Sequence, residues 1–322
     1  MAQHHGSPDV GGWFRTAQAG REIPRASKGW GPPEDAAFGL QSTALEVAAA
    51  AEALRGRPTM ILTGAGTSTA SGLPDYRGPG AIPRSPMTYQ EFVSSDSSRR
   101  HYWARSTVGW PSFRVAQPNR VHDLVAHLAA TLPVMGVVTQ NVDGLHQAAG
   151  SEPVLDLHGR LATVSCLACG SGIGREVLQA TLLDMNPGVA SRLDDLALQA
   201  ASLPDGDAEV DRTEEFLYPD CPRCGGVLKP DVVYFGENAD PAVVTASFDL
   251  LDSSDALLVL GTSLSVMSGL RFVRRAARDN KRIIIVNDGA TRGDALATHR
   301  IHGRLETVLE EFVGSLLNPL PH

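Results

Sequence analysis

Thr59-Met60-Ile61-Leu62-Thr63-Gly64-Ala65-Gly66 decides the fold. The first five residues read as a short buried strand, and the two glycines turn the chain at its end. Upstream, Thr43-Ala44-Leu45-Glu46 has the form of a capping box. In it the Thr43 hydroxyl accepts the third helical N–H and Glu46 reaches back. Ala44, Val47, Ala51 and Leu54 then keep one apolar face, and Gly56 stops the helix. A strand followed by Gly64-x-Gly66 is how a dinucleotide-binding turn begins, because glycines let backbone approach phosphates. Thr69 stands where the third glycine would be, and a proline-rich loop replaces the region of the expected acidic residue. Taken alone, an ordinary tight turn fits this stretch about as well.

Working outward, Pro74, Pro79, Pro83 and Pro86 make residues 74–90 a long loop. Val121, Leu124, Val125 and Leu128 have helical spacing after an Asn119 cap. Val134–Thr139 is the next strand, and Pro153–Leu157 is a short extended piece ending at His158. Strand signals return at Val232–Phe235, Ala256–Leu260 and Ile283–Val286, with Leu270 and Val273 on a helix between the last two. Leu305, Val308, Leu309, Phe312 and Leu316 predict a closing amphipathic helix, whereas 171–219 shows no strand signal. Strands alternating with helices predict an α/β fold with a parallel sheet.

The 322 residues are 43% hydrophobic and 20% charged, an ordinary soluble composition. The formal net charge of −8 weighs against a DNA-binding surface. No apolar run approaches the roughly 18 residues of a membrane span. The first 40 residues carry no apolar signal-peptide core, so 1–39 is expected to be a poorly ordered extension.

Gln140, Asn141 and Asp143 bunch an amide, a second amide and a carboxylate at the C-terminal end of a strand, the edge where open parallel sheets bind ligands. The plainer alternative is a polar turn formed by Asn141 and Asp143. His158, near an ordinary pKa of about 6.5, suits a general base. His122, His127 and His302 read as surface or satisfied histidines. Arg77 could hold a phosphate or a carboxylate as a bidentate donor, but on these residues alone a solvated loop charge is the better reading. Cys166-x-x-Cys169 and Cys221-x-x-Cys224 are two zinc knuckles whose four thiolates make a closed, structural site. Residues 170–220 between them exceed the roughly 15–20 of a usual zinc ribbon, so a long excursion is expected.

Together these pieces resemble the sirtuin family of NAD-dependent protein deacylases. The matching segments are Gly64-Ala65-Gly66-Thr67-Ser68, Gly72-Leu73-Pro74-Asp75-Tyr76-Arg77, Thr139-Gln140-Asn141-Val142-Asp143, Leu157-His158-Gly159, both cysteine pairs, Lys229 to Glu237, Gly261-Thr262-Ser263 and Asn287-Asp288-Gly289. They run in the family's order from about residue 40 to about 315. His101-Tyr102-Trp103-Ala104-Arg105, Val108-Gly109-Trp110-Pro111 and the long gap between cysteine pairs are similar to the class II, lipoamidase-type branch. Thr67 stands where many members have isoleucine, and the Tyr and Arg that select acidic acyl groups in the class III branch have no clear equivalents.

The resemblance implies a Rossmann-like parallel-sheet domain over 40–162 and 229–316, with a cofactor loop and helical insert at 74–118. It implies an inserted zinc-binding domain over 163–228. Gly64 to Arg84, with Pro74, Asp75, Tyr76 and Arg77, would enclose the pyrophosphate and nicotinamide ribose of NAD. Gln140, Asn141, Val142 and Asp143 would hold ribose and nicotinamide. Gly261, Thr262, Ser263, Asn287, Asp288, Gly289 and the backbone at Leu305 would meet the adenosine half. Val232, Val233, Tyr234, Phe235, Gly236 and Glu237 would pair with an acyl-lysine peptide. In the implied reaction the acyl oxygen attacks the ribose C1′ as nicotinamide leaves. His158, assisted by Asn141 and Gln140, then deprotonates a ribose hydroxyl, which attacks the imidate carbon, and water completes the sequence, giving free lysine and O-acyl-ADP-ribose. The implied setting is the cytoplasm of a bacterium, or the mitochondrial matrix in a eukaryote, with no nucleic-acid or membrane partner. The alternatives are protein mono-ADP-ribosyl transfer, removal of longer lipoyl-type acyl groups, a nicotinamide dehydrogenase and a non-catalytic zinc-ribbon module.

Overall fold

A computed structural model describes residues 39–75, 86–199 and 213–318. Tyr76, Arg77, Arg84 and the N-terminal extension before Gly39 lie outside these residues.

Strand β1 (Thr59–Thr63) is buried along its whole length, because parallel neighbours cover both edges and helices cover both faces. β2 (Val134–Thr139) and β3 (Val154–Asp156) extend the sheet on one side. β7 (Ala256–Leu260), β8 (Arg282–Val286) and β9 (His299–Ile301) extend it on the other. The order β3-β2-β1-β7-β8-β9 makes a six-stranded sheet in which every pairing is parallel. The chain moves outward one way from β1 and the other way from β7. The C-terminal edge between these two strands is therefore the topological switch point, where α/β sheets leave a crevice.

The expected helices form for the expected reasons. Thr43 caps Ala44–Glu52 in a complete capping box, and Val47, Ala50, Ala51 and Leu54 are fully buried. Leu54 lies just past the helix end, and Ala44 is exposed, so the buried face is set one position differently. Asn119 caps Arg120–Leu128, and the helices Met267–Arg278 and Leu305–Leu317 close the core. Burying each Leu, Ile or Phe there contributes about 1.5–3 kcal/mol.

A second, antiparallel sheet has the order β5-β4-β6, built from β4 (Gly159–Cys166), β5 (Gly172–Gly174) and β6 (Leu228–Val232). Three corrections follow. The strand expected at Val232–Phe235 instead ends at Val232. Beyond it, Tyr234–Glu237 turns back, with Gly236 at φ 79° and the Glu237 N–H donating to the Tyr234 carbonyl at 3.0 Å. The Lys229 ammonium, 7% exposed, locks this turn by pairing with Glu237 at 3.0 Å. The short strand β5 and the helix Arg175–Met185 lie where no strand was expected. The proline-rich loop ends at Thr88, which caps Tyr89–Ser94 in another capping box. A 20-residue helix, Asp96–Val115, follows.

Candidate active site

At the switch point the loops after β1 and β7 meet backbone to backbone. The Gly66 N–H donates to the Gly261 carbonyl at 2.9 Å, and the Gly64 N–H to Leu260 at 3.1 Å. A Cβ on Gly64 would lie 2.6 Å from the Thr262 Cβ, and one on Gly66 would lie 2.9 Å from the Gly261 oxygen. Gly261 itself sits at φ 60°, and a Cβ there would lie 2.7 Å from Leu305 Cδ1. These glycines are required by close approach, not by turn-making alone. Ala65–Thr67 form a single 3₁₀ turn, and the Thr67 hydroxyl donates back to the Gly64 carbonyl at 2.8 Å. Pro74 and Asp75 are half-buried where the described segment ends.

Residues 140–143, just past β2, bind into this loop. The Asn141 amide donates to Thr67 Oγ1 at 3.1 Å and to Ser68 Oγ at 2.9 Å. Ser68 Oγ donates to Asp143 Oδ2 at 2.6 Å, and Asp143 Oδ1 accepts the Leu145 N–H at 2.9 Å. Gln140 Nε2 donates to the Thr63 carbonyl at 3.2 Å and to Thr262 Oγ1 at 3.0 Å, so it ties β1, β2 and β7 together. The Val142 carbonyl accepts from Leu161 at 2.9 Å, which fastens the segment to β4.

His122, expected to be an inconspicuous helix residue, lies behind this cluster with no exposure. Its Nδ1 accepts the Asn119 N–H at 3.2 Å, which leaves the proton on Nε2, 3.4 Å from Ser68 Oγ. Burial lowers the pKa of His122, opposed by Asp143 and Asp123. Its ring packs edge-on against His146 at 4.8 Å. His146 is pushed down to about 3, by burial first and by His122 second. The i+3 spacing from an Asn cap was the only sequence sign that His122 turns inward.

His158 leaves β3 and points at the same crevice. Its Nδ1 lies 2.9 Å from the Gln140 carbonyl, which can only accept, so Nδ1 carries the proton. Nε2 then carries the lone pair, 2.7 Å from the Ser268 hydroxyl. Burial pushes His158 down to about 4; the bond to Gln140 opposes the shift, and the Arg271 cation adds to it. The expectation of an ordinary pKa is thus corrected: low-dielectric surroundings disfavour the charged ring, and the imidazole is neutral at physiological pH. Ser268, Gly269 and Arg271, in the first turn and a half of Met267–Arg278, were not found by sequence reasoning. Nothing local in the sequence pairs them with residues 110 or more positions away.

On the far side of β7, Asn287 donates to the Gly289 carbonyl at 2.7 Å, and Arg300 reaches the Asn287 and Gly289 carbonyls at 3.0 and 2.6 Å. Ser263 Oγ lies 3.0 Å from Ser265 Oγ. Asp288 accepts the Gly39 N–H at 3.1 Å, which gives it a structural partner. Val233 donates to the His158 carbonyl at 2.8 Å, and the Phe235 carbonyl accepts from Tyr89 at 2.9 Å, so part of the 232–237 backbone is already engaged.

The four cysteine sulfurs lie within 4.8 Å of one another, with Cys166–Cys224 at 3.5 Å and Cys169–Cys221 at 3.8 Å. A tetrahedral zinc with bonds of about 2.3 Å places its sulfurs about 3.8 Å apart, so the donor set fits that ion.

A Sir2 family model matches residues 64–268, spanning the glycine loop, the 140–143 cluster, His158 and both cysteine pairs. The chain belongs to the Sir2 family. Among Sir2 relatives, a protein of Mycobacterium avium named NAD-dependent protein deacetylase 1 is 48% identical over 268 residues, covering 83% of this chain and 94% of the relative. One of the same name from Streptomyces coelicolor is 47% identical, covering 86% and 91%. Among solved structures, one described as showing the structural basis for sirtuin substrate affinity matches with a TM-score of 0.66 at 25% identity, covering 85% of this chain and 98% of that one. The structure of Sir2Af2 bound to a myristoylated histone peptide matches with a TM-score of 0.59 at 25% identity, covering 85% and 97%.

Proposed function

We propose that this Sir2-family chain is an NAD-dependent protein-lysine deacylase that passes the acyl group to ADP-ribose and releases nicotinamide. The observation that carries this reading is the His158 imidazole. It is half-buried and neutral, has its tautomer fixed by the Gln140 carbonyl, and is tied through Gln140 to Thr262 in the loop after β7. Relatives named deacetylases support it. NAD, consumed as co-substrate, supplies the ribosyl carbon that takes the acyl oxygen and the hydroxyl that then attacks.

The chain's own residues do the rest. The glycine loops keep side chains out of the crevice, so a pyrophosphate can approach the backbone there. Ser68, Asn141 and Asp143 form a preorganised polar wall for the ribose and nicotinamide, with Gln140 steadying it from β2. His158 Nε2 takes the hydroxyl proton. Asn287, Gly289, Thr262, Ser263 and Leu305 face the adenosine half. Tyr76 and Arg77 belong to the proposed cofactor loop. The peptide is expected to run past the end of β6, an edge of its sheet, and along the turn at Val232–Glu237, meeting the backbone groups there that are not already bonded. Zinc on the four cysteines is structural, since four thiolates leave no open position. The proposed division is 40–162 with 229–316 for the cofactor domain and 163–228 for the zinc-binding domain, with β4 and β6 running across the boundaries. Deacetylation is the activity proposed; removal of longer acyl groups, suggested by the class II pattern of 101–111, and mono-ADP-ribosyl transfer are the alternatives to test. No described helix is long and apolar enough to cross a membrane.

The test is incubation with NAD and a panel of acyl-lysine peptides, followed by mass analysis. O-acyl-ADP-ribose and free lysine are expected. ADP-ribose on protein, or no nicotinamide release, overturns the proposal. His158→Ala should lower acyl transfer by at least a hundredfold. Undiminished turnover by that variant would remove His158 from the base role.

A further inference from the structure

His158 Nε2 has one lone pair, and it already has a donor. Because Nδ1–H is committed to the Gln140 carbonyl, the neutral ring can only accept at Nε2, and the Ser268 hydroxyl lies 2.7 Å away. Ser268 is held there firmly. Arg271 Nε donates to the Ser268 carbonyl at 3.1 Å. Gly269 sits so close to Gln140 that a Cβ would fall 2.8 Å from its Oε1. The first turn of this 12-residue helix is therefore seated against the same residue that fixes the imidazole tautomer.

We infer that Ser268 is a positioning residue that stands in for the ribose hydroxyl at His158 and competes with NAD for Nε2. The inference rests on His158 being the base that receives a ribose hydroxyl. One lone pair cannot take two donors, so the hydroxyl of the incoming ribose displaces the hydroxyl of Ser268. Even a half-buried acceptor left without a donor carries a penalty. Ser268 removes that penalty from one side of the binding equilibrium only. NAD binding therefore includes the loss of the Ser268 bond, and the protein binds its co-substrate more weakly than its remaining contacts allow.

This gives Ser268→Ala a sign that ordinary damage to a site does not have. Calorimetric titration with NAD should show a Kd about two- to tenfold lower than that of the parent, the worth of one hydrogen bond. Ser268→Thr keeps the hydroxyl and should bind like the parent. In a His158→Ala background, which has no lone pair to contest, Ser268→Ala should change the Kd by less than twofold, so the two effects are coupled. An unchanged or raised Kd for Ser268→Ala, or the same tightening in the His158→Ala background, overturns the inference. Acyl transfer by His158→Ala alone reports separately on the base role. If that variant is inactive while Ser268→Ala binds NAD no better, the inference alone has failed.

Discussion

Gly261→Ala separates a real backbone-to-backbone junction from an incidental turn. The added Cβ would lie 2.9 Å from the Gly66 carbonyl carbon and the Thr67 nitrogen, and 2.7 Å from Leu305 Cδ1. Non-bonded heavy atoms prefer about 3.5–4.0 Å, so the two loops must part by roughly 0.6–1.1 Å. The positive φ of 60° adds about 1–2 kcal/mol for any residue with a Cβ. Overpacking of a tight site adds about 1–3 kcal/mol more. At about 2 °C per kcal/mol for a chain of this size, the melting temperature should fall by about 4–10 °C. Gly150→Ala is the matched control: its φ is 87°, yet nothing lies within 4 Å of the built Cβ. It should lose only the conformational part, about 2–4 °C. The assay is thermal unfolding of both variants, with NAD affinity measured beside it. Gly261→Ala should weaken NAD binding at least tenfold, because a misplacement of that size disrupts a preorganised site. If the two variants melt alike and bind NAD alike, the loops do not form the junction described.

Two further outcomes are expected. Removing zinc, or Cys166→Ser, should loosen the antiparallel sheet; because Cys166, Cys221, Trp103 and Trp110 share one core, tryptophan emission should shift to the red and activity should fall, and a metal-free protein that stays folded and fully active would contradict this. His146 is held near 3 in the fold against about 6.5 unfolded, so the unfolded chain binds the extra proton and stability falls as pH drops below about 6.5, by about 2 kcal/mol at pH 5. His146→Leu should flatten that acid limb in urea titrations at pH 7 and pH 5, and parallel losses in parent and variant would refute the assignment.

Much of the frame was legible because it is local. Thr43 and Asn119 announced their helices through caps, and Ala256–Leu260 announced a central strand through unbroken apolarity, since a strand covered on both faces has no polar side to display. The cysteine pairs and the 140–143 cluster were legible through residue type and spacing. What escaped depends on distance in sequence. Ser268 meets His158 only because β7 carries the following helix to the crevice, and His122 reaches Ser68 only because its helix packs under the glycine loop. The end of β6 was misplaced because Val232–Phe235 has β-forming side chains, while the turn at Tyr234–Glu237 is imposed by the Lys229–Glu237 pair and Gly236. Local propensity yields there to a buried charge.

Strand β4 joins two chemistries along one rod. It begins at Gly159, next to the imidazole, and ends at Cys166, a cysteine of the sulfur cluster. It bulges between Arg160 and Val164, and its ends pair with Val232 and Leu228 of β6, so the lever spans about 13 Å at roughly 3.3 Å per residue of β6. Gly159 is its fulcrum, pressed so hard on β6 that a Cβ would overlap the Asp231 oxygen at 1.8 Å. A zinc on those four cysteines would thereby steady the proposed proton acceptor from a distance. Chelators would act on such a catalyst as a loosened bolt acts on a clamp, spoiling aim before chemistry.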